Sequence, residues 1–239
     1  MVYLMFHDIL SKDDKLSGFQ NESAFQYKVE AGMFEDLVRA MAGIDDVTFS
    51  FDDGGISFLT VAAPILEKYG KKGLFFISTK FIGTKGFLTK EQVRELERRG
   101  HVVGSHSHSH PHNMTALTDA EIDEEWMKSR AVLQDILGHE VKGASIPNGY
   151  GSKSIYRSVR KAGFAELYSS VPTTKTVQED GLTKIGRYVV HRDMTIEDVV
   201  LLATDIAQQR KMYRRWQVLE LAKKVLGGNY DRVKALFVK

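Results

Sequence analysis

The chain has 239 residues, 43% of them hydrophobic and 27% charged, with 33 basic residues against 31 acidic ones for a formal charge of +2. That is the composition of an ordinary soluble globular chain, without the strongly basic balance of a nucleic-acid binder, so nucleic acid is not an expected partner. With no cysteine, disulfides are excluded and any metal must be held by histidine and carboxylate side chains. The first ten residues, MVYLMFHDIL, carry no basic n-region, and the run FLTVAAPIL is too short to cross a bilayer. No transmembrane segment is therefore expected, and the expected location is the cytoplasm.

Along the chain, Val47 to Phe51 (VTFSF) reads as a strand that ends at Asp52-Asp53-Gly54-Gly55, where glycine permits a tight turn. Phe58, Ala62, Ile65, Leu66 and Tyr69 recur at helical spacing before Gly70, and Gly73 to Ser78 follows as a buried strand. Thr89 to Gln92 forms a capping box for a helix carrying Val93 and Leu96, which stops at Gly100 before a strand over His101 to Ser105. A second capping box, Thr118 to Glu121, opens a helix with Ile122, Trp126, Leu133 and Leu137 on its inner face. Gly143 to Ile146 is the next strand and Ser154 to Ala162 the next helix. Ala165 to Ser170 and Ile185 to His191 are strands flanking a polar, hairpin-like excursion, and Thr195 opens a last helical region. This alternation predicts an α/β fold with a parallel sheet and outer helices, either an open doubly wound sheet or a barrel. No repeat or linker marks a boundary, so residues 1–239 are expected to form a single domain, with 195–239 a helical C-terminal extension.

In parallel α/β folds the loops after the strand ends share one face, and chemistry collects there. Two such loops stand out: Phe49-Ser50-Phe51-Asp52-Asp53-Gly54, and Gly104 to His112, whose histidines are His106, His108, His110 and His112. Adjacent carboxylates at a strand end point to opposite sides, so one can bind a cation while the other faces a substrate. Two histidines four apart can reach the same ion, and Asp53, His106 and His110 together would leave a coordination position open, as catalytic rather than structural zinc sites do. Asp-Asp-Gly alone is commonly a solvated turn, and a histidine-rich loop alone can be surface accident. Their joint placement at strand ends is what favours a metal hydrolase.

The stretch from about Val47 to Gly151 resembles the polysaccharide deacetylase family with its NodB-homology domain. The family motif Thr-Phe-Asp-Asp-Gly matches Ser50-Phe51-Asp52-Asp53-Gly54, and His-Ser/Thr-x-x-His matches His106-Ser107-His108-Ser109-His110. The segments APILEKYGKKGLFFIS and LTKEQVRELERRGHVVGSHSHSHP extend the likeness. The resemblance implies a distorted parallel (β/α) barrel and a metal-dependent hydrolase that removes an N-acetyl group from a sugar. It implies one divalent ion, with zinc expected, on Asp53, His106 and His110, Asp52 as general base for the attacking water, and Ser107 bracing the histidine loop. His108 and His112 have no role in that scheme.

The departures are equally specific. The family's third motif, Arg-x-Pro-Tyr, falls on Ser145-Ile146-Pro147-Asn148, so its arginine and tyrosine are missing. Pro147 remains, Asn148 can still offer a backbone N–H to an oxyanion, and Arg187 is the candidate replacement for the lost arginine, although a surface arginine at a strand edge is as good a reading of it. For the general acid two histidines compete. His191 ends Tyr188-Val189-Val190-His191 in the usual chain order, while His7, in Leu4-Met5-Phe6-His7-Asp8, matches a His-Asp form of the motif moved to the N-terminus, as in circularly permuted relatives resembling exopolysaccharide N-deacetylases. His7 is preferred, and permutation then requires Met1 to Phe6 to be a strand beside the others.

From Thr195 onward, Arg210, Lys211, Arg214, Arg215, Lys223 and Lys224 accompany Met212, Tyr213, Trp216, Leu219 and Leu221, as in amphipathic helices with a basic face. A solvated face explains this simply; the functional alternative is contact with an anionic ligand or a membrane surface. The expected substrate is an acetylated sugar or surface-glycan precursor. Two alternatives stand beside it: hydrolysis of a non-sugar amide, and a carbohydrate-binding or scaffold protein on the same fold that has lost catalysis.

Overall fold

The computed structural model describes residues 1–11, 16–149 and 151–226, without the side chains of 223–226. The side chains of Lys223 and Lys224, and the 227–239 part of the expected extension, therefore lie outside the described residues. The chain opens with β1 (Val2–Phe6), β2 (Ile9–Leu10), α1 (Glu22–Phe25), β3 (Val29–Glu30) and α2 (Ala31–Ala40). Strand and helix then alternate through β4 (Val47–Phe51), α3 (Ala63–Lys68), β5 (Gly73–Ile77), α4 (Lys90–Arg98), β6 (Val102–Ser105), α5 (Asp119–Leu137), β7 (Gly143–Ser145) and α6 (Lys153–Lys161). Four strands follow, β8 (Glu166–Ser169), β9 (Thr176–Glu179), β10 (Leu182–Gly186) and β11 (Tyr188–Val189), and the helices α7 (Ile196–Thr204) and α8 (Ile206–Leu226) come last.

The main sheet runs in the order β11-β1-β4-β5-β6-β7-β8-β10-β9 and is parallel except for β9, which makes a hairpin with β10. Its two ends are covalently close: β10 pairs with β8 at one end, β11 pairs with β1 at the other, and only Arg187 separates β10 from β11. One continuous stretch of chain thus leaves one end of the curled sheet and joins the other. The expected distorted parallel barrel is present in this form, a curled sheet with its seam at Arg187. β1 lies between β4 and β11, in register Phe6↔Phe51, so the first residues of the chain form a central strand.

Pleating sends alternate residues to opposite faces. Leu4, Phe6, Phe49, Phe51, Phe75 and Ile77 face the helices and join Phe34, Leu37 and Val38 of α2 in the main core. Phe6, Phe34, Phe49, Phe51, Phe58 and Phe75 form a connected set of ring contacts there. The opposite, concave face carries a smaller cluster of Phe76, Tyr168 and Ile185 with Tyr3 and Leu74. Because Phe51 faces the outer core, the next residue, Asp52, is delivered to the concave side.

Both capping boxes form, at Thr89/Gln92 and Thr118/Glu121, and a third opens α7 at Thr195/Asp198. Three differences from the sequence reading are local. The helix expected from Phe58 begins as a π turn over Phe58–Ala62, where Pro64 has no N–H to give to the carbonyl four residues back. Ile136 rather than Leu137 is buried on α5. The strand expected over Ile185 to His191 starts at Leu182 and is interrupted at Arg187, because it changes partners there. Residues 9–46, for which no elements are expected above, contain β2, β3, α1 and α2. Among the described residues no helix is long and apolar enough to cross a membrane.

Candidate active site

The C-terminal ends of β1, β4 and β6 meet at a cleft of about 560 Å³ lined by His7, Asp52, Asp53, His106, His110 and His191, among others. Asp52 is 2% exposed and sits in a polar cage. The Arg187 guanidinium grips it with two parallel bonds, Nη1 donating to Oδ1 and Nη2 to Oδ2, each 2.7 Å. Ser145 Oγ donates to Oδ2 at 3.0 Å and itself accepts from Arg187 Nη2 at 2.7 Å. Burial alone would raise the Asp52 carboxyl, but Arg187, with His106 nearby, outweighs it and holds the group well below the usual carboxylate range. Arg187 is buried, lies over the rings of Phe76 and Tyr168, and does not line the cleft. Its contact is with Asp52, not with anything in the cleft. Ser145 occupies the place of the family motif's arginine, and its short side chain leaves the volume that Arg187 fills from the seam.

Asp53 turns the other way, with φ of 88°. Its Oδ1 lies 3.2 Å from His110 Nε2 and 3.5 Å from His106 Nε2, yet takes no aligned hydrogen bond from either ring. The three ligand atoms of Asp53, His106 and His110 are all within 4.8 Å of one another. His106 Nδ1 is 3.0 Å from the Ser145 carbonyl, which fixes that nitrogen as the donor and leaves the Nε2 lone pair facing Asp53. Burial pushes His106 down to about 4, so it is neutral at ordinary pH. At His110 burial is outweighed by Asp53, and the ring is raised above its usual value. A buried carboxylate oxygen without an aligned donor, facing two imidazole nitrogens, has the donor chemistry of a divalent-cation site. The residues fit the ion that the sequence implies.

The histidine loop is held by its own hydroxyls and by α5. His110 N–H donates to Ser107 Oγ, and Glu125 accepts from the N–H groups of His108 and Ser109 and from Ser109 Oγ. His108 is turned away to Thr79, at 2.8 Å, while His112 is exposed at the cleft rim. Asp53, Ser107, His110 and Asn148 all have positive φ. Strained backbone concentrated this way is typical of a site whose side-chain directions matter more than local stability. Asn148 lines the cleft; Pro147 is buried and is absent from the lining.

His7 follows β1 and His191 follows β11, and because those strands are neighbours both rings reach the same cleft. Both also lie against Tyr27, with centroids at 4.8 and 4.9 Å. The two candidates for the general acid thus end different strands and share one cleft. Sequence reasoning missed Tyr27, Ser145 and Glu125. For Ser145 a signal existed, a small residue where the motif has a large cation; Tyr27 and Glu125 carry none outside the tertiary arrangement.

The family model for polysaccharide deacetylase matches residues 40–167, more than half of the chain. The chain belongs to the polysaccharide deacetylase family. A peptidoglycan-N-acetylglucosamine deacetylase of Bacillus cereus is 26% identical over 141 residues, covering 58% of this chain and 50% of that protein. The chain spans about half the length of the curated relatives it matches. Among solved structures, the Streptococcus pyogenes deacetylase PplD in complex with acetate superposes with a TM-score of 0.68 at 19% identity, covering 85% of this chain and 97% of that one. IcaB from Ammonifex degensii gives 0.67 at 21% identity, with 84% and 96% covered. At these identities the two structures establish the family's curled, mostly parallel sheet as the fold of this member.

Proposed function

We propose that this member of the family is a metal-dependent N-deacetylase that hydrolyses the acetamide of an N-acetylated sugar within a glycan or glycan precursor. The observation that carries the reading is the convergence, in one open cleft, of a three-atom ligand cluster, an ionised carboxylate and a histidine. A divalent ion on Asp53, His106 and His110, with zinc the expected one, supplies Lewis acidity toward the amide carbonyl and water.

The protein's own groups divide the proton work. Asp52 accepts the proton of the attacking water as the C–O bond forms. Arg187 and Ser145 are positioning residues: they fix both Asp52 oxygens and keep the carboxylate ionised in a buried place. The Asn148 backbone N–H is assigned the stabilisation of the carbonyl oxygen as it gains charge, a role supported by the position of Asn148 in the cleft lining. His7 gives its proton to the sugar nitrogen as the C–N bond breaks, and acetate and an amino sugar leave. The described cleft residues include no lysine or arginine, so an uncharged N-acetylhexosamine unit fits better than a diphosphate-linked sugar.

The Bacillus cereus relative makes oligomers of N-acetylglucosamine the first probe. Purified protein should release acetate from them, stop when EDTA removes the ion, and recover with zinc. Zinc-loaded protein that binds the oligomers without releasing acetate would favour the scaffold reading instead.

A further inference from the structure

His7 has an unusual environment for a histidine in a hydrolytic cleft. Ring nitrogens of such residues are ordinarily oriented by a hydrogen bond to a carboxylate or carbonyl, as His106 Nδ1 is by the Ser145 carbonyl. His7 Nδ1 is buried and has no hydrogen-bond partner among the described residues. Its ring instead lies 4.8 Å from that of Tyr27, tilted by 34°.

That contact follows from a register. The parallel pair β2–β3 aligns Ile9 with Val29 and Leu10 with Glu30, an offset of twenty residues. Extended one step toward the cleft, the same offset sets Asp8 against Lys28, and one step further it sets His7 against Tyr27. The middle rung is an ion pair, Lys28 Nζ to Asp8 Oδ2 at 3.5 Å, with both side chains buried, and the Asp8 carbonyl accepts from Val29 N–H at 3.0 Å. Asp8 also takes hydrogen bonds from Ser17 at 2.5 Å and Ser57 at 3.0 Å, and Lys28 Nζ donates to the Ser17 carbonyl. Both ends of the segment from Ser17 to Lys28 are thus fastened to the residue after His7. The packing is tight: a Cβ on Gly18 would stand 2.0 Å from Asp8 Oδ2, and one on Gly55 would stand 1.9 Å from Asp8 Oδ1.

We propose that Tyr27 is the positioning residue for His7: its ring, locked in place by the Asp8–Lys28 rung beneath it, orients the imidazole where other histidines use a hydrogen bond. The kinetic consequence rests on the reading of His7 as the proton donor; the orientation itself does not.

Two measurements separate these. Nuclear relaxation of the His7 Cε1–H group in protein labelled with ¹³C-histidine, assigned by its disappearance in His7→Ala, reads ring order without any substrate. The His7 ring should be as rigid as the backbone in wild type and in Tyr27→Phe and become mobile in Tyr27→Ala, with the His106 and His110 signals unmoved as the check that the fold survives. Should Tyr27→Ala unfold, Tyr27→Leu keeps the apolar bulk without the flat face and should give the same mobility. A His7 ring that stays equally ordered overturns the proposal. In acetate release from N-acetylglucosamine oligomers, Tyr27→Ala should lower kcat by roughly 10–100-fold, as misplacement of a catalytic group does. KM should change much less, and Tyr27→Phe should restore the rate. In a His7→Ala background the same substitution should add no loss; independent, multiplying losses would mean that Tyr27 acts on the substrate or through His191, which its ring also touches, and not through His7. Wild-type protein that releases no acetate overturns the deacetylase reading and leaves ring order to decide this one.

Discussion

Replacing Arg187 by Met tests the centre of the site through stability as well as activity. The guanidinium supplies two 2.7 Å charge-assisted bonds to Asp52, which is 2% exposed. Removing one partner of such a buried pair costs about 3–5 kcal/mol, because the remaining charge is stranded. For a chain of this size, at about 2–4 °C per kcal/mol, the melting temperature should fall by roughly 6–20 °C. The pH dependence should change sign as well as size. In the wild type the folded Asp52 carboxyl is depressed, so its contribution is fully present above the unfolded value of about 3.9 and is lost as pH falls through the lower folded value. Without Arg187, burial becomes the dominant influence and raises the folded carboxyl above the unfolded one. Stability is then lost as pH rises. Thermal denaturation in EDTA at pH 5 and pH 8 should therefore find the variant penalised more at pH 8. The double variant Asp52→Asn/Arg187→Met, which leaves no stranded charge at this pair, should recover much of the loss. A variant within 2 °C of wild type, taking roughly 1 kcal/mol as the detection limit, or an equal penalty at both pH values, would refute the account of Arg187 as the partner that keeps Asp52 ionised.

Further outcomes follow from the same geometry. Asp53→Asn or His106→Ala should abolish stoichiometric divalent-metal binding, measured by elemental analysis after dialysis; metal retained in both would remove the ligand assignment. Asp52→Asn should eliminate acetate release while metal content stays near wild type, and metal loss there would mean that the two aspartates have exchanged roles. Zinc affinity should fall as pH drops through the raised value of His110, with His106, neutral down to about 4, contributing little to that limb. Calorimetric proton release that is insensitive to His110→Ala would contradict this. His7→Ala should cost on the order of 10²–10⁴ in kcat with metal retained. His191→Ala should cost much less, and the reverse ranking would transfer the acid role to His191.

Much of this fold is legible in the residues alone. β4, β5 and β6 are short apolar runs bounded by turn residues, and the Thr89 and Thr118 caps act within one helical turn, so local pattern suffices to place them. The same locality makes Asp52, Asp53, His106 and His110 visible, because all four lie in the loops that directly follow two recognisable strands, β4 and β6. What the residues could not decide are pairings between distant parts of the chain. Arg187 is separated from Asp52 by 135 residues, and nothing near it in sequence distinguishes a surface arginine from one that fills the space above Ser145. Its position follows from a strand that trades β8 for β1 at the barrel seam, a choice made by closure of the whole sheet. In the 9–46 region β2 and β3 are two residues long, too short to show a strand period, and a buried Asp8–Lys28 ion pair joins the chain beside them. Composition and spacing thus determine which groups are available for chemistry. Tertiary closure decides which of them face one another, since a contact across tens of residues depends on the register and packing of elements that do not adjoin it in sequence.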